Sequence, residues 1–145
     1  MALQIITFEV ENQLLGVDIM SIREIRAWTP TTRLPQVPDY VAGVVNLRGT
    51  VLPVFDLAAR LGWRTTEATG RHAIIVTEVD GQFQGLIVDS VSDIVTIGEE
   101  DLQPPPSTAG DQIVTFLTGL AALGDRMVMI LNLPSLTDEA LPLAA

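Results

Sequence analysis

Neither cysteine nor lysine occurs in this 145-residue chain, and histidine occurs once. Without cysteine there is no disulfide framework, no thiolate nucleophile and no cysteine-bound zinc. Without lysine, the P-loop phosphate grip, Schiff-base catalysis and the lysine of a phosphoacceptor receiver domain are excluded. His72, next to Arg71, would have to carry any imidazole chemistry alone, and it reads as a solvated strand-edge residue. The glycines form no G-x-G-x-x-G after a strand, and no serine sits in a nucleophile elbow with His and Asp partners. The acidic run Glu99-Glu100-Asp101 lacks the alternating ligands and turn glycine of a calcium loop. No enzyme, metal site or cofactor is therefore expected.

Long apolar runs are also missing. None approaches the roughly 20 residues of a bilayer span, and the opening MALQIITFEV has no basic stretch and reaches Glu9 early, unlike a secretory leader. Eight arginines face 18 acidic residues, and the resulting charge of −10 repels nucleic acid and anionic headgroups. A cytoplasmic, soluble protein that neither binds nucleic acid nor inserts into membrane is expected. With 48% apolar and only 18% charged residues, the chain is globular, and its Val, Ile and Leu content favours strands. Its length suits one domain over residues 1–145.

The chain contains itself twice. Shifted by 69 residues, TFEVENQLLGVDIMSIREI (7–25) lies over VTEVDGQFQGLIVDSVSDI (76–94), with Glu9, Val10, Gln13, Gly16, Ser21 and Ile25 repeated as Glu78, Val79, Gln82, Gly85, Ser90 and Ile94. Shifted by 76, GVVNLRGTVLPVFDL (43–57) lies over GLAALGDRMVMILNL (119–133). The repeat spans 5–64 and 72–137, and the seven extra residues fall in LQPPPSTAGDQ, expected to be a loop. Each copy reads as a hairpin turning at Glu11-Asn12 or Asp80-Gly81, a short irregular or helical piece, then a second strand pair turning at Arg48-Gly49 or Gly124-Asp125. Short helices are expected at Asp56–Gly62 and from Pro134 onward. About five strands per copy would close into a small barrel, and two such barrels would share a core and leave a groove between them.

Two charged positions stand out. Arg48 sits in a tight turn between apolar strands, and its repeat partner is Gly124, so the copies differ where the turn protrudes. Arginine suits partner recognition because its planar fork donates two hydrogen bonds at once. Glu24, within Ile22-Arg23-Glu24-Ile25-Arg26, lies on the polar side of an alternating segment and can pair with Arg48. Trp28 and Trp63, near element ends, read as core packing.

Four segments, GVDIMSIREIR (16–26), YVAGVVNLRGTVLPVFDL (40–57), GLIVDSVSDIV (85–95) and FLTGLAALGDRMVMILNL (116–133), resemble the CheW family in order and spacing, across nearly the whole chain. The resemblance implies a mainly β fold of two pseudo-symmetric five-stranded SH3-like barrels with a few short helices. It also implies a non-catalytic adaptor, monomeric when isolated. Such an adaptor couples the regulatory domain of the histidine kinase CheA to the cytoplasmic tips of methyl-accepting chemoreceptors in membrane arrays. On the receptor side it implicates Glu24, Asn46, Leu47, Arg48, Gly49 and Val88; on the kinase side, Ile22, Gly43 and Val45. The alternative function is a small-ligand module using the groove between the barrels.

Overall fold

A computed structural model describes residues 2–104 and 112–137. The hairpin β1 (Ala2–Val10) and β2 (Gln13–Asp18) turns at Glu11 and Asn12, both with positive φ (53° and 64°). Its repeat, β6 (Ala73–Val79) and β7 (Gln82–Val88), turns at Asp80-Gly81. Positive φ at both turn residues matches the right-handed twist of the flanking strands, which is why two residues suffice. The second hairpins are β4 (Val41–Leu47) with β5 (Thr50–Asp56), and β10 (Leu117–Leu123) with β11 (Arg126–Leu131). Between the hairpins of each copy runs a single strand, β3 (Ile22–Ala27) or β8 (Ser90–Gly98). The short helices α1 (Leu57–Arg60) and α2 (Leu133–Thr137) close the two copies, and Asp56 caps α1 by accepting the Ala59 N–H. Within the expected Pro/Gly loop, Leu102–Gln103 form β9 along β10, while residues 105–111 lie outside the described part.

The expectation that each copy closes its own barrel needs correction. The five-stranded sheet runs β3-β6-β7-β5-β4 and the other β8-β1-β2-β11-β10-β9, so each combines the first hairpin of one copy with the later strands of the other. Replacing every strand of the first sheet by its repeat partner gives the order of the second, apart from the added β9. The exchange follows from the exit of each hairpin. After β2, Asp18 accepts the Met20 N–H at 2.9 Å and starts a single 3-10 turn, Ile19–Ser21, that carries β3 across to the other sheet. Parallel pairs then join the copies, Val54 beside Gly85 in one sheet and Leu15 beside Met129 in the other.

Successive residues of one strand consequently serve two cores. Ile74 and Val76 fill the interior of one barrel, and Ile5, Val128 and Ile130 the other. Ile75, Phe8, Leu15, Phe55, Leu86 and Leu131 meet between the barrels. Among the described residues that central cluster holds 18 buried apolar residues, against seven and six in the interiors. At roughly 1.5–3 kcal/mol for each fully buried large side chain, most of the burial that stabilises the fold lies between the barrels. Arg60 clasps the same region, 4.4 Å from the Tyr40 ring centroid and 4.7 Å from that of Phe116, while its Nε donates to the Leu136 carbonyl at 2.5 Å.

Gly43 shows how closely the strands approach. At φ +147°, a Cβ there would collide with the Thr32 carbonyl, whose carbon would lie 2.8 Å away, and Thr32 bridges to Val44 at that point. The repeat partner Gly119 meets the Gln103 carbonyl at 2.8 Å in the same way. Gly43→Ala is therefore expected to cost about 2 kcal/mol or more through strain. Gly49→Ala, with nothing near its Cβ, should cost only the left-handed backbone penalty of about 1–2 kcal/mol. Chemical denaturation of both variants checks the order.

Candidate functional site

The β4–β5 turn is built to present a side chain. Asn46 Oδ1 accepts the Gly49 N–H at 2.9 Å, fixing a turn in which Arg48 (φ 51°) and Gly49 (φ 89°) both adopt left-handed backbone. Arg48 projects from it with 76% of its side chain exposed, and its Nη2 donates to Glu24 Oε1 at 2.5 Å. Glu24, on β3, also receives Arg26 Nη1 on its other oxygen at 3.4 Å. One residue before Glu24, Arg23 pairs with Glu78 at 2.6 Å. Arg23, Glu24 and Arg48 rim a groove of about 390 Å³ floored by Leu47, Leu52, Val76 and Phe83. A cationic fork thus stands at the lip of an apolar trough in a strongly acidic protein.

The hydrogen bond from Arg48 holds the Glu24 carboxyl below its ordinary pKa; partial burial opposes this, and the charges of Arg48 and Arg26 add to the lowering. Because the folded value is depressed, the pair stabilises the fold above the ordinary carboxylate range and loses that contribution as pH falls through the lowered value. Arg48→Ala should raise the Glu24 pKa toward its ordinary value, leaving only the part due to Arg26. A carboxylate carbon titration by NMR measures the change.

Glu24, Asn46, Leu47, Arg48 and Gly49 meet in this one place, Asn46 and Gly49 by shaping the turn. Val88 does not belong with them. It is fully buried in the central core, because both faces of β7 are covered and its side chain points between the barrels. On the proposed kinase side, Gly43 and Val45 are both buried within β4, so neither the Gly43 backbone nor the Val45 side chain is offered to a partner, and Ile22 is half-buried against the central core. The apolar side chains between the barrels pack as one core, which leaves the small-ligand reading without support. A shallow trough lined by Ile6, Ile25, Val91, Ser92, Asp93 and Ile94 remains.

That trough contains residues that sequence reasoning passed over. Ile25 and Ile94 are 40% and 57% exposed, and β3 lines both the trough, with Ile25, and the Arg48 groove, with Arg23 and Glu24. Their identity across the repeat is the available signal, since the same apolar residue stands exposed in both copies. His72 accepts the Thr69 N–H on Nδ1 at 3.1 Å and places Nε2 3.4 Å from Asp89, a local structural arrangement. Trp28 and Trp63 pack against a barrel interior and the central core respectively. Among the described residues there is no group of three or more potential metal ligands, and no helix is long and apolar enough to cross a membrane.

Comparison with known proteins is consistent across the chain. The family model described as CheW-like domain matches residues 4–141. The chain is 46% identical to the probable chemotaxis protein CheW of Rhizobium etli over 136 residues, covering 94% of this chain and 88% of that protein. It is 48% identical to the chemotaxis protein CheW of Rhizobium meliloti over 132 residues, covering 91% and 85%. The crystal structure of the scaffolding protein TtCheW from Thermoanaerobacter tengcongensis superimposes with a TM-score of 0.83 at 34% identity, covering 92% of this chain and 86% of that one.

Proposed function

This chain belongs to the CheW family, and from that membership we propose that it holds two proteins at once, the regulatory domain of the histidine kinase CheA and the cytoplasmic tips of methyl-accepting chemoreceptors. It is a chemotaxis coupling adaptor, and it is not an enzyme. Its place is the cytoplasmic side of membrane receptor arrays.

The observation that carries the receptor assignment is the Arg48 fork, exposed but oriented by Glu24 beside an apolar groove. The same turn in the other barrel offers Gly124, so the two ends of the molecule present different chemistry to different partners. A receptor helix laid across β3 would cover Ile25 and Ile94 in the trough on one side and reach Glu24, Leu47 and Arg48 on the other. Asn46 and Gly49 hold the turn in shape, and Val88 supports from within. On the kinase side Ile22 contributes directly, whereas Gly43 and Val45 act by fixing the course of β4.

Receptor state then biases kinase activity through the way the adaptor holds the two partners. Each contact needs no more than the standard area of roughly 800 Å² per partner, since many weak contacts in an array bind strongly together. Calorimetric titration with a receptor tip fragment and with the kinase regulatory domain tests the reading. Each partner should bind while the other is bound, and mutual exclusion would overturn it.

A further inference from the structure

The duplication makes departures from symmetry visible, and two of them fall side by side beneath β3, the strand that carries Glu24. In the first copy, Phe8 and Leu15 face each other across β1 and β2, both fully buried in the central core. Sixty-nine residues on, the same cross-strand pair is Thr77 and Gln84, 0% and 5% exposed. Thr77 Oγ1 and Gln84 Nε2 have no hydrogen-bond partner among the described residues. Buried polar atoms left in this way weaken the packing around them, which the apolar pair does not.

The second departure is at a bulge. Where β8 runs along β1, the register shifts between Ile6 and Phe8, and the Thr7 hydroxyl bridges the gap, accepting the Asp93 N–H and donating to the Asp93 carbonyl, both at 3.1 Å. Where β3 runs along β6, the register shifts between Ile22 and Glu24, and Val76 occupies the position of Thr7. Valine can make neither bond. β3 and β8 are both terminal strands of their sheets, so each depends on a single described neighbour; the β8 bulge is pinned through its backbone, whereas the β3 bulge is tied to β6 by the exposed Arg23–Glu78 ion pair, a surface contact worth roughly 0–1 kcal/mol. Thr77, the partner of Ile22 in register, places the unsatisfied pair directly next to the β3 bulge, which lacks a backbone pin.

We propose that β3 is a movable edge strand that shifts at its bulge and passes occupancy of the Glu24–Arg48 groove into the central core. The movement follows from the strand itself; the transmission rests on the adaptor reading given above. Bulges are where strands bend and where pairing ends most readily, and local opening draws on the least stable parts of a fold. The Thr77–Gln84 pair lies on the same strand faces as Ile75, Leu86 and Val88 of the central core, so a shift of Ile22 is felt there.

Amide hydrogen exchange on the full chain, followed by NMR, tests the movement. Position for position, Glu24, Ile25 and Arg26 should exchange at least about tenfold faster than Asp93, Ile94 and Val95. Thr77→Val combined with Gln84→Leu should raise Tm by roughly 5 °C and slow exchange in β3. Val76→Thr, which restores the missing hydroxyl without touching the pair, should also slow it. Equal rates in β3 and β8 of the unaltered protein, or β3 exchange unmoved by both variants, would overturn the proposal. In receptor membranes with kinase, the double variant should bind both partners yet lose at least half of the receptor's control over the kinase. Full control with β3 immobilised would remove the transmission. An Arg48 variant that binds receptor normally would instead strike at the groove assignment and leave the exchange result standing.

Discussion

Arg48→Glu should reduce co-sedimentation with receptor membranes by on the order of tenfold or more, the scale of an interface hot spot, while the fold stays intact. The side chain is 76% exposed and its described partner is Glu24, so the substitution removes no burial. Exposed substitutions of this sort usually change stability by no more than about 0.5 kcal/mol. Reversal does more than truncation because it sets a carboxylate against Glu24 at the lip of the groove, replacing attraction for a partner with repulsion. Arg126→Glu is the matched control. It makes the same change in net charge at the hairpin of the other barrel, where Arg126 pairs with Glu9 at 3.3 Å, and should leave receptor binding unchanged. If both variants sediment like the unaltered protein, Arg48 is not a receptor contact.

Cutting the chain between α1 and β6 should leave two fragments that do not fold. Each sheet needs strands from both copies, and the parallel pairs Val54–Gly85 and Leu15–Met129 exist only when both are present. The central cluster, the largest of the three, also draws on both. Neither fragment should show a sigmoidal urea transition by circular dichroism, and mixing the two should restore one. The full chain should unfold in a single step. Two sharp, independent transitions from the separated fragments would contradict the exchanged topology.

Much of this was legible in the residues. Glu11-Asn12, Asp80-Gly81 and Arg48-Gly49 announce their hairpins because few residues accept positive φ, and the repeat shows which strands correspond. The offset cannot say whether a strand pairs within its own copy or with the other, since corresponding strands carry the same pattern. That choice is made at Asp18 and Asp89, where the chain leaves one sheet for the other. The burial of Val88 is hidden in the sequence for a related reason. Leu86, Ile87 and Val88 are all buried, so the alternation that assigns strand faces is lost where both are covered. The constraint on Gly43 is equally hidden, because nothing in the linear order reveals that Thr32 passes over it. The Glu24–Arg48 pairing was legible because the two charges interrupt apolar segments that have no other use for them.

Sedimentation of kinase with receptor membranes, with and without this protein, tests the bridge most directly. The kinase should enter the pellet in proportion to the adaptor added, and attractant should then lower its autophosphorylation. Kinase that pellets and responds equally well when the adaptor is omitted would contradict the account.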